Sequence, residues 1–173
     1  QKVEYSITYH LDGGSNHTEN PTKFFVTDQI PLKAPTKDGY LFEGFVDEDG
    51  QYVVVIVLGT AENKTLTAKW VKDTFKTEET FVLSDREKQL PVYGLPETAS
   101  ANISLTFGTE QVSVVGGKAV FDRVGDYTLT YTITLISGET LEKEMKITVI
   151  KAQITIAGEY EQEYEAGKKL TLI

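Results

Sequence analysis

Between Asp126 and Leu135 every second residue is large and apolar. Tyr127, Leu129, Tyr131, Ile133 and Leu135 fall on one side, and Thr128, Thr130, Thr132 and Thr134 fall on the other. Side chains alternate across a strand with a period of two, so this run predicts an extended strand with one face in a core. A helix would need apolar residues at a period near 3.6, and no stretch of the chain sustains one. Little helix is therefore expected. Composition points the same way. The chain has 22 Thr, 16 Val and 11 Ile among 173 residues, with 9 Tyr and 8 Phe. β-Branched and aromatic residues fit a pleated, half-buried surface, so a mainly β chain is predicted.

The alternation recurs and is cut by turn residues. Val3, Tyr5, Ile7 and Tyr9 alternate with polar residues up to Asp12-Gly13-Gly14. Phe24 to Thr27 reads as a short strand after Asn20-Pro21, and Gly39 to Val46 as a longer one. Asp47-Glu48-Asp49-Gly50 closes that strand as a hairpin turn, since Gly supplies a positive φ cheaply. Thr65 to Val71 places Leu66, Ala68 and Trp70 on one face, which predicts Trp70 in the core. Lys72 to Thr80 is polar, with Phe75 its only large apolar residue, and reads as a linker. Beyond it Ile103, Leu105 and Phe107 alternate, then Ala119 to Phe121, the strand at 126–135, the Ser137-Gly138 turn, and Met145, Ile147 and Val149. Short strands at regular spacing suggest a β-sandwich. Residues 151–173 begin a similar pattern with Ile154 and Ile156, and end with Leu170 and Leu172. Twenty-three residues cannot bury a core of their own. The expected organisation is thus a first domain over 1–72, a second over 73–150, and the truncated start of a third over 151–173.

Charge excludes one class of partner. Seventeen basic against 26 acidic residues give a net charge of −9. Residues 1–72 carry 7 basic and 10 acidic side chains, residues 73–150 carry 7 and 12, and residues 151–173 carry 3 and 4. No part is net basic, so no nucleic-acid face is expected. The absence of cysteine removes disulfides, thiolate metal sites and thiol nucleophiles. The longest aliphatic run, Val53 to Leu58, is far short of the roughly 20 residues of a membrane-spanning helix. Gln1-Lys2-Val3-Glu4 does not open a signal peptide, and a mature or trimmed chain would begin in the same way.

Two resemblances follow from these residues. Residues 3–71 resemble the Listeria–Bacteroides repeat, the family of the internalin B-repeat. Ile7 to Tyr9 running into Asp12-Gly13-Gly14, Asn20-Pro21-Thr22, Leu32 and Ala34-Pro35-Thr36-Lys37 carry the first half of the likeness. Gly39-Tyr40, Phe42, Gly44-Phe45 and Thr65 to Trp70 carry the second. Phe45 stands where the family usually has Trp. The resemblance implies a small β-grasp-like domain, α+β with little helix. Gly125 to Tyr131, Gly138 and Lys146 to Val149 resemble bacterial Ig-like repeats. That implies an Ig-like β-sandwich, with Ile154 to Gly158, Tyr164 to Gly167 and Leu170 to Leu172 opening the next repeat. Tyr127 sits where such sandwiches place a tyrosine corner.

Candidate chemistry is sparse. His10, His17 and Asp12 flank one turn but lack a further nitrogen or sulfur ligand, so loop roles are expected. Placing Gly50 at the sixth position of a calcium loop puts Phe45 first and Ile56 twelfth, which fails the motif. Leu95-Pro96-Glu97-Thr98-Ala99 resembles a sortase signal but is followed by a folded unit, so it reads as a loop. Asn16, Asn63 and Asn102 open glycosylation sequons that read as chance occurrences. Tyr40, Phe42, Phe45 and Trp70 suit a core better than a sugar platform. No Ser-centred elbow or phosphate loop is present. No catalytic, cofactor-binding or metal residue is expected, and no cofactor. With the resemblances, the expectation is a non-enzymatic, secreted module of a bacterial cell-surface protein, a spacer, stalk or adhesion segment. A glycan- or host-protein-binding module is the alternative, or an accessory region of a larger carbohydrate-active surface enzyme. Neighbouring repeats of the same chain are the expected contacts.

Overall fold

The computed structural model describes residues 3–152. The expected start of a third unit therefore lies outside the described residues, apart from Lys151 and Ala152. All regular structure among the described residues is strand, so the chain is mainly β and the expected minor helix of the first domain is not there.

Residues up to Lys72 build one sheet. Its strands are β1 (Glu4–His10), β2 (Lys23–Phe25), β4 (Tyr40–Val46), β5 (Tyr52–Val53) and β7 (Lys64–Lys72), in the order β2-β1-β7-β4-β5. The first and last strands, β1 and β7, lie side by side and parallel, from Ile7↔Lys64 to His10↔Thr67. The other pairs are antiparallel. A separate pair, β3 (Ile30–Pro31) with β6 (Val55–Ile56), places Ile56 in the core, where Leu32 is also buried.

Burial follows the alternation in β1, where Ile7 is buried and Glu4, Ser6 and Thr8 face water. It departs from it in β4. There the register shifts between Phe42 and Gly44, so Glu43 is an extra residue. A bulge of this kind swaps the faces of the strand beyond it. Phe42 and Phe45, three apart, consequently meet in the same core with ring centroids 5.0 Å apart.

The turn after β1 owes its second glycine to packing. A Cβ on Gly14 would lie 2.7 Å from the Trp70 ring and 2.9 Å from the Thr36 carbonyl oxygen. Gly14 thus lets the loop close over the indole. Trp70 itself is half-buried rather than core: its ring edges against Phe42 and its Nε1–H donates to the Leu11 carbonyl at 3.1 Å. An indole N–H needs a partner, and a position near the sheet's end supplies one. Leu66 and Ala68 are buried as expected.

Residues 78–150 build a second sheet, ordered β11-β10-β13-β14-β8. It comprises β8 (Glu78–Val82), β10 (Ser100–Phe107), β11 (Glu110–Val112), β13 (Gly125–Thr134) and β14 (Thr140–Ile150). The pair β9 (Ser84–Gln89) and β12 (Lys118–Phe121) covers its inner face, with Phe121 edge-on to Phe81 and Tyr127 at 5.0 Å each. This is a sandwich-like arrangement. All five apolar residues of the 126–135 alternation are buried, and their threonine neighbours are not. The linker is shorter than the sequence suggests. Only residues 73–77 lie between β7 and β8, because Glu78–Val82 pairs parallel with β14. Two Glu and a Thr precede Phe81, and that single aromatic does not announce a strand.

Tyr127 closes the corner before β13. Its hydroxyl donates to the Arg123 carbonyl at 3.1 Å and accepts from the Arg123 amide at 3.2 Å. Tyr127→Phe would strand both backbone groups, so urea denaturation should show a loss of about 1–3 kcal/mol with an unchanged slope. A variant as stable as the parent would remove the hydroxyl from this role.

Candidate functional site

The residues singled out in the sequence do not converge. Asp12 pairs with Lys37 at 2.9 Å, and His17 Nδ1 accepts from the Glu19 amide at 3.2 Å. Among the described residues, no three or more His, Cys, Asp or Glu come together as a metal-binding group. At the 47–50 turn, Asp47 Oδ1 accepts the amides of Asp49 and Gln51 at 3.1 and 2.8 Å, and Gly50 takes a φ of 77°. The carboxylate is spent on the turn, as the hairpin reading expects. Asn16 and Asn63 likewise use their side-chain oxygens on the amides of His17 and Ser6.

The four aromatics separate. Phe42 and Phe45 are core, Trp70 is half-buried, and Tyr40 is 41% exposed, contrary to the core expectation for all four. The Lys37 ammonium lies 4.4 Å from the Tyr40 ring centroid, a cation–π contact. It covers one face of that ring.

A different set of residues is brought together where the two sheets' loops meet. The Ser137-Gly138 hairpin projects from the ends of β13 and β14. Its Glu139 carboxylate accepts the Ala34 amide at 2.6 Å and the Ser137 hydroxyl at 2.8 Å. Asn20, buried at 6% exposure, fixes the adjoining loop by bonding both the amide and the carbonyl of Lys33. Ile136 of the hairpin approaches Gly44, where an added Cβ would lie 3.4 Å from its Cγ2 and 2.6 Å from the Tyr52 ring. Thr98, within the expected loop 95–99, donates its hydroxyl to the Glu43 carbonyl. The β4 bulge is thus contacted from two sides. Sequence gives no sign of these pairs, since Ala34 and Glu139 are 105 residues apart.

The connecting residues are held as well. The Asp73 amide donates to the Gly39 carbonyl at 2.9 Å, and its carboxylate takes the Lys143 ammonium at 2.6 Å and the Phe75 amide at 3.0 Å. Phe75 stacks on Tyr93 at 4.3 Å and meets Tyr131 edge-on at 5.2 Å. Desolvation pushes the Asp73 carboxyl up. The hydrogen bond from Lys143, the Phe75 amide and the Lys143 charge outweigh it, and the group lies below its ordinary value of 3.8.

Those aromatics also line an open groove. Phe75, Tyr93, Leu95, Ala101, Ile103 and Tyr131 border a cavity of about 200 Å³ with Pro91 and Val92 at its rim. Val92 is 80% exposed. Burial pushes the Tyr131 phenol up to about 12, helped by the neighbouring Tyr93, so it is a neutral donor at ordinary pH. Its hydroxyl donates to the Pro91 carbonyl. Compared with known proteins, the chain matches no family model, and no curated protein shows significant similarity to it.

A carboxyl whose pKa is depressed on folding stabilises above its unfolded value, and the effect is lost as pH falls through the folded one. Asp73→Asn should therefore cost about 1 kcal/mol near neutrality, after allowance for partial solvent screening. The gap to the parent should close as pH falls below 3.8. Urea midpoints across that range read it directly, and a gap independent of pH would reject the ion pair as its source.

Proposed function

We propose that this chain is a non-enzymatic module of a bacterial cell-surface protein, in which small β units stand in series as a spacer or stalk and hold a neighbouring segment away from its anchor. The observation that carries the reading is the joint. Neither five-stranded sheet borrows a strand from the other half of the chain. Yet Ala34 with Glu139, Glu43 with Thr98, and Asp73 with both Gly39 and Lys143 tie the halves together. A flexible tether would need none of these bonds. A spacer that transmits orientation needs them.

The family reading is part of the proposal. The parallel pairing of the first and last strands supports a β-grasp-like first domain over residues 1–72, in line with the Listeria–Bacteroides resemblance. The Tyr127 corner and the paired sheets support an Ig-like second domain over 73–150. An extracellular location follows from the two resemblances together. A glycan platform at Tyr40 and Trp70 is disfavoured by Lys37 over the Tyr40 ring.

Residual dipolar couplings measured on the full chain test the joint. One alignment tensor should fit amides of both β1–β7 and β8–β14. Thr98→Val combined with Glu139→Ala should split it into two tensors while each half keeps its own chemical shifts away from the joint. Two tensors in the parent chain would defeat the rigid-spacer reading.

A further inference from the structure

The second sheet has an edge that is open for half the length of one strand. β10 pairs with β13 throughout, from Ser100↔Thr134 to Phe107↔Tyr127. On its other side β11 covers only Leu105 to Phe107. Over residues 100–104, the alternate amides and carbonyls that point away from β13 have no backbone partner among the described residues. Consecutive residues Asn102, Ile103 and Ser104 are all exposed, although Ile103 shares its face with buried Tyr131.

The apolar groove described above lies against this same stretch, and Ala101 and Ile103 form one wall of it. An added strand would lie about 4.8 Å from β10 and drop every second side chain on the groove side. Unlike its neighbours, this edge carries no protection. β8 opens with Glu78 and Glu79, β2 with Lys23 and β11 with Glu110, whereas Ser100-Ala101-Asn102-Ile103-Ser104 contains neither charge nor proline. Charged or proline-bearing edges are how folded proteins avoid unwanted pairing.

We propose that the edge of β10 over residues 100–104 is a peptide-binding site that accepts an extended segment of a partner as an added strand, with alternating apolar side chains seated in the groove and basic residues at its flanks. Charge selects the occupant. The chain carries a net charge of −9, and Glu97, three residues before Ser100 in the chain, is exposed, so a second copy is repelled and a basic-flanked peptide is attracted. This proposal is independent of the spacer reading.

The test is amide hydrogen exchange on the full 173-residue chain, with a synthetic peptide Lys-Lys-Val-Thr-Val-Thr-Val-Lys as the probe. Saturating peptide should slow exchange within residues 100–104 by about tenfold or more and leave β1 and β7 unchanged. The same peptide N-methylated at every valine and threonine cannot complete the ladder in either strand direction and should give no protection. The peptide with Glu in place of Lys should bind more weakly. Ile103→Lys should abolish the effect, and the N-methyl control keeps the test valid if that variant is unstable. Four results overturn the proposal. They are no protection, equal protection by the N-methylated peptide, protection already present in the dilute free chain, and protection that rises with protein concentration alone. The third would mean that the chain fills its own edge, and the fourth that a second copy does.

Discussion

β13 is the strand on which the second half of the chain is registered. It is bonded along its length to β10 on one side and to β14 on the other, and three of its inward residues land between apolar neighbours: Leu129 faces Leu105 and Met145, Tyr127 faces Phe107 and Ile147, and Ile133 faces Ala101 and Leu141. Burying such side chains is worth about 1.5–3 kcal/mol each. A slip of one residue would exchange Leu129 and Ile133 for threonines in the core. That penalty fixes the register of three strands at once. It also fixes where the 135–139 turn emerges, because the turn is the continuation of β13 into β14.

The joint follows from that placement. Once β13 is in register, Ile136 and Glu139 stand at a defined height beyond the sheet, and the first half of the chain presents matching features. The bulge at Glu43 turns the Glu43 carbonyl toward Thr98, and the lack of a side chain at Gly44 leaves room for both Tyr52 and Ile136. The same bulge brings Phe42 and Phe45 into one core. One inserted residue therefore serves both the interior of the first sheet and its contact with the second. Asn20 plays a comparable part at lower cost, since a buried side-chain amide satisfied at both ends holds the loop that offers the Ala34 amide to Glu139.

What the sequence disclosed is what period-two burial controls. The strand at 126–135, the returning strand to Val149, and the turns at Gly13, Gly50 and Gly138 are all local patterns, and they stand where the residues put them. The bonding of the Tyr127 hydroxyl to the Arg123 backbone agrees with the place that the Ig-like resemblance gives this residue, and the alternation by itself does not announce it. Three features were not legible. β8 was hidden because a parallel partner 68 residues away stabilises Glu78–Val82, and its own composition does not. Trp70 was assigned to the core by its place on the face of Leu66 and Ala68, but its N–H pulls it to the rim, toward Leu11. The groove could not be read at all, since Ile103 and Tyr131 become neighbours only through the β10–β13 register.

The open edge of β10 is best understood through what a complete sandwich would require there. The inner face of the second sheet is covered by β9 and β12 near Phe81, Phe121 and Tyr127, at one end of β13. At the other end the cover is residues 90–95, a segment without strand pairing that reaches Tyr131 through the Pro91 carbonyl and the Tyr93 ring. A loop spans less of the sheet than a strand does. Ile103 and Val92 remain exposed as the result, beside alternate amides that have no backbone partner among the described residues. Exposed apolar side chains and an exposed ladder each carry a cost in isolation. Here both occur at one place, and a single strand would satisfy both: its backbone would complete the ladder, and its inward side chains would cover Ile103.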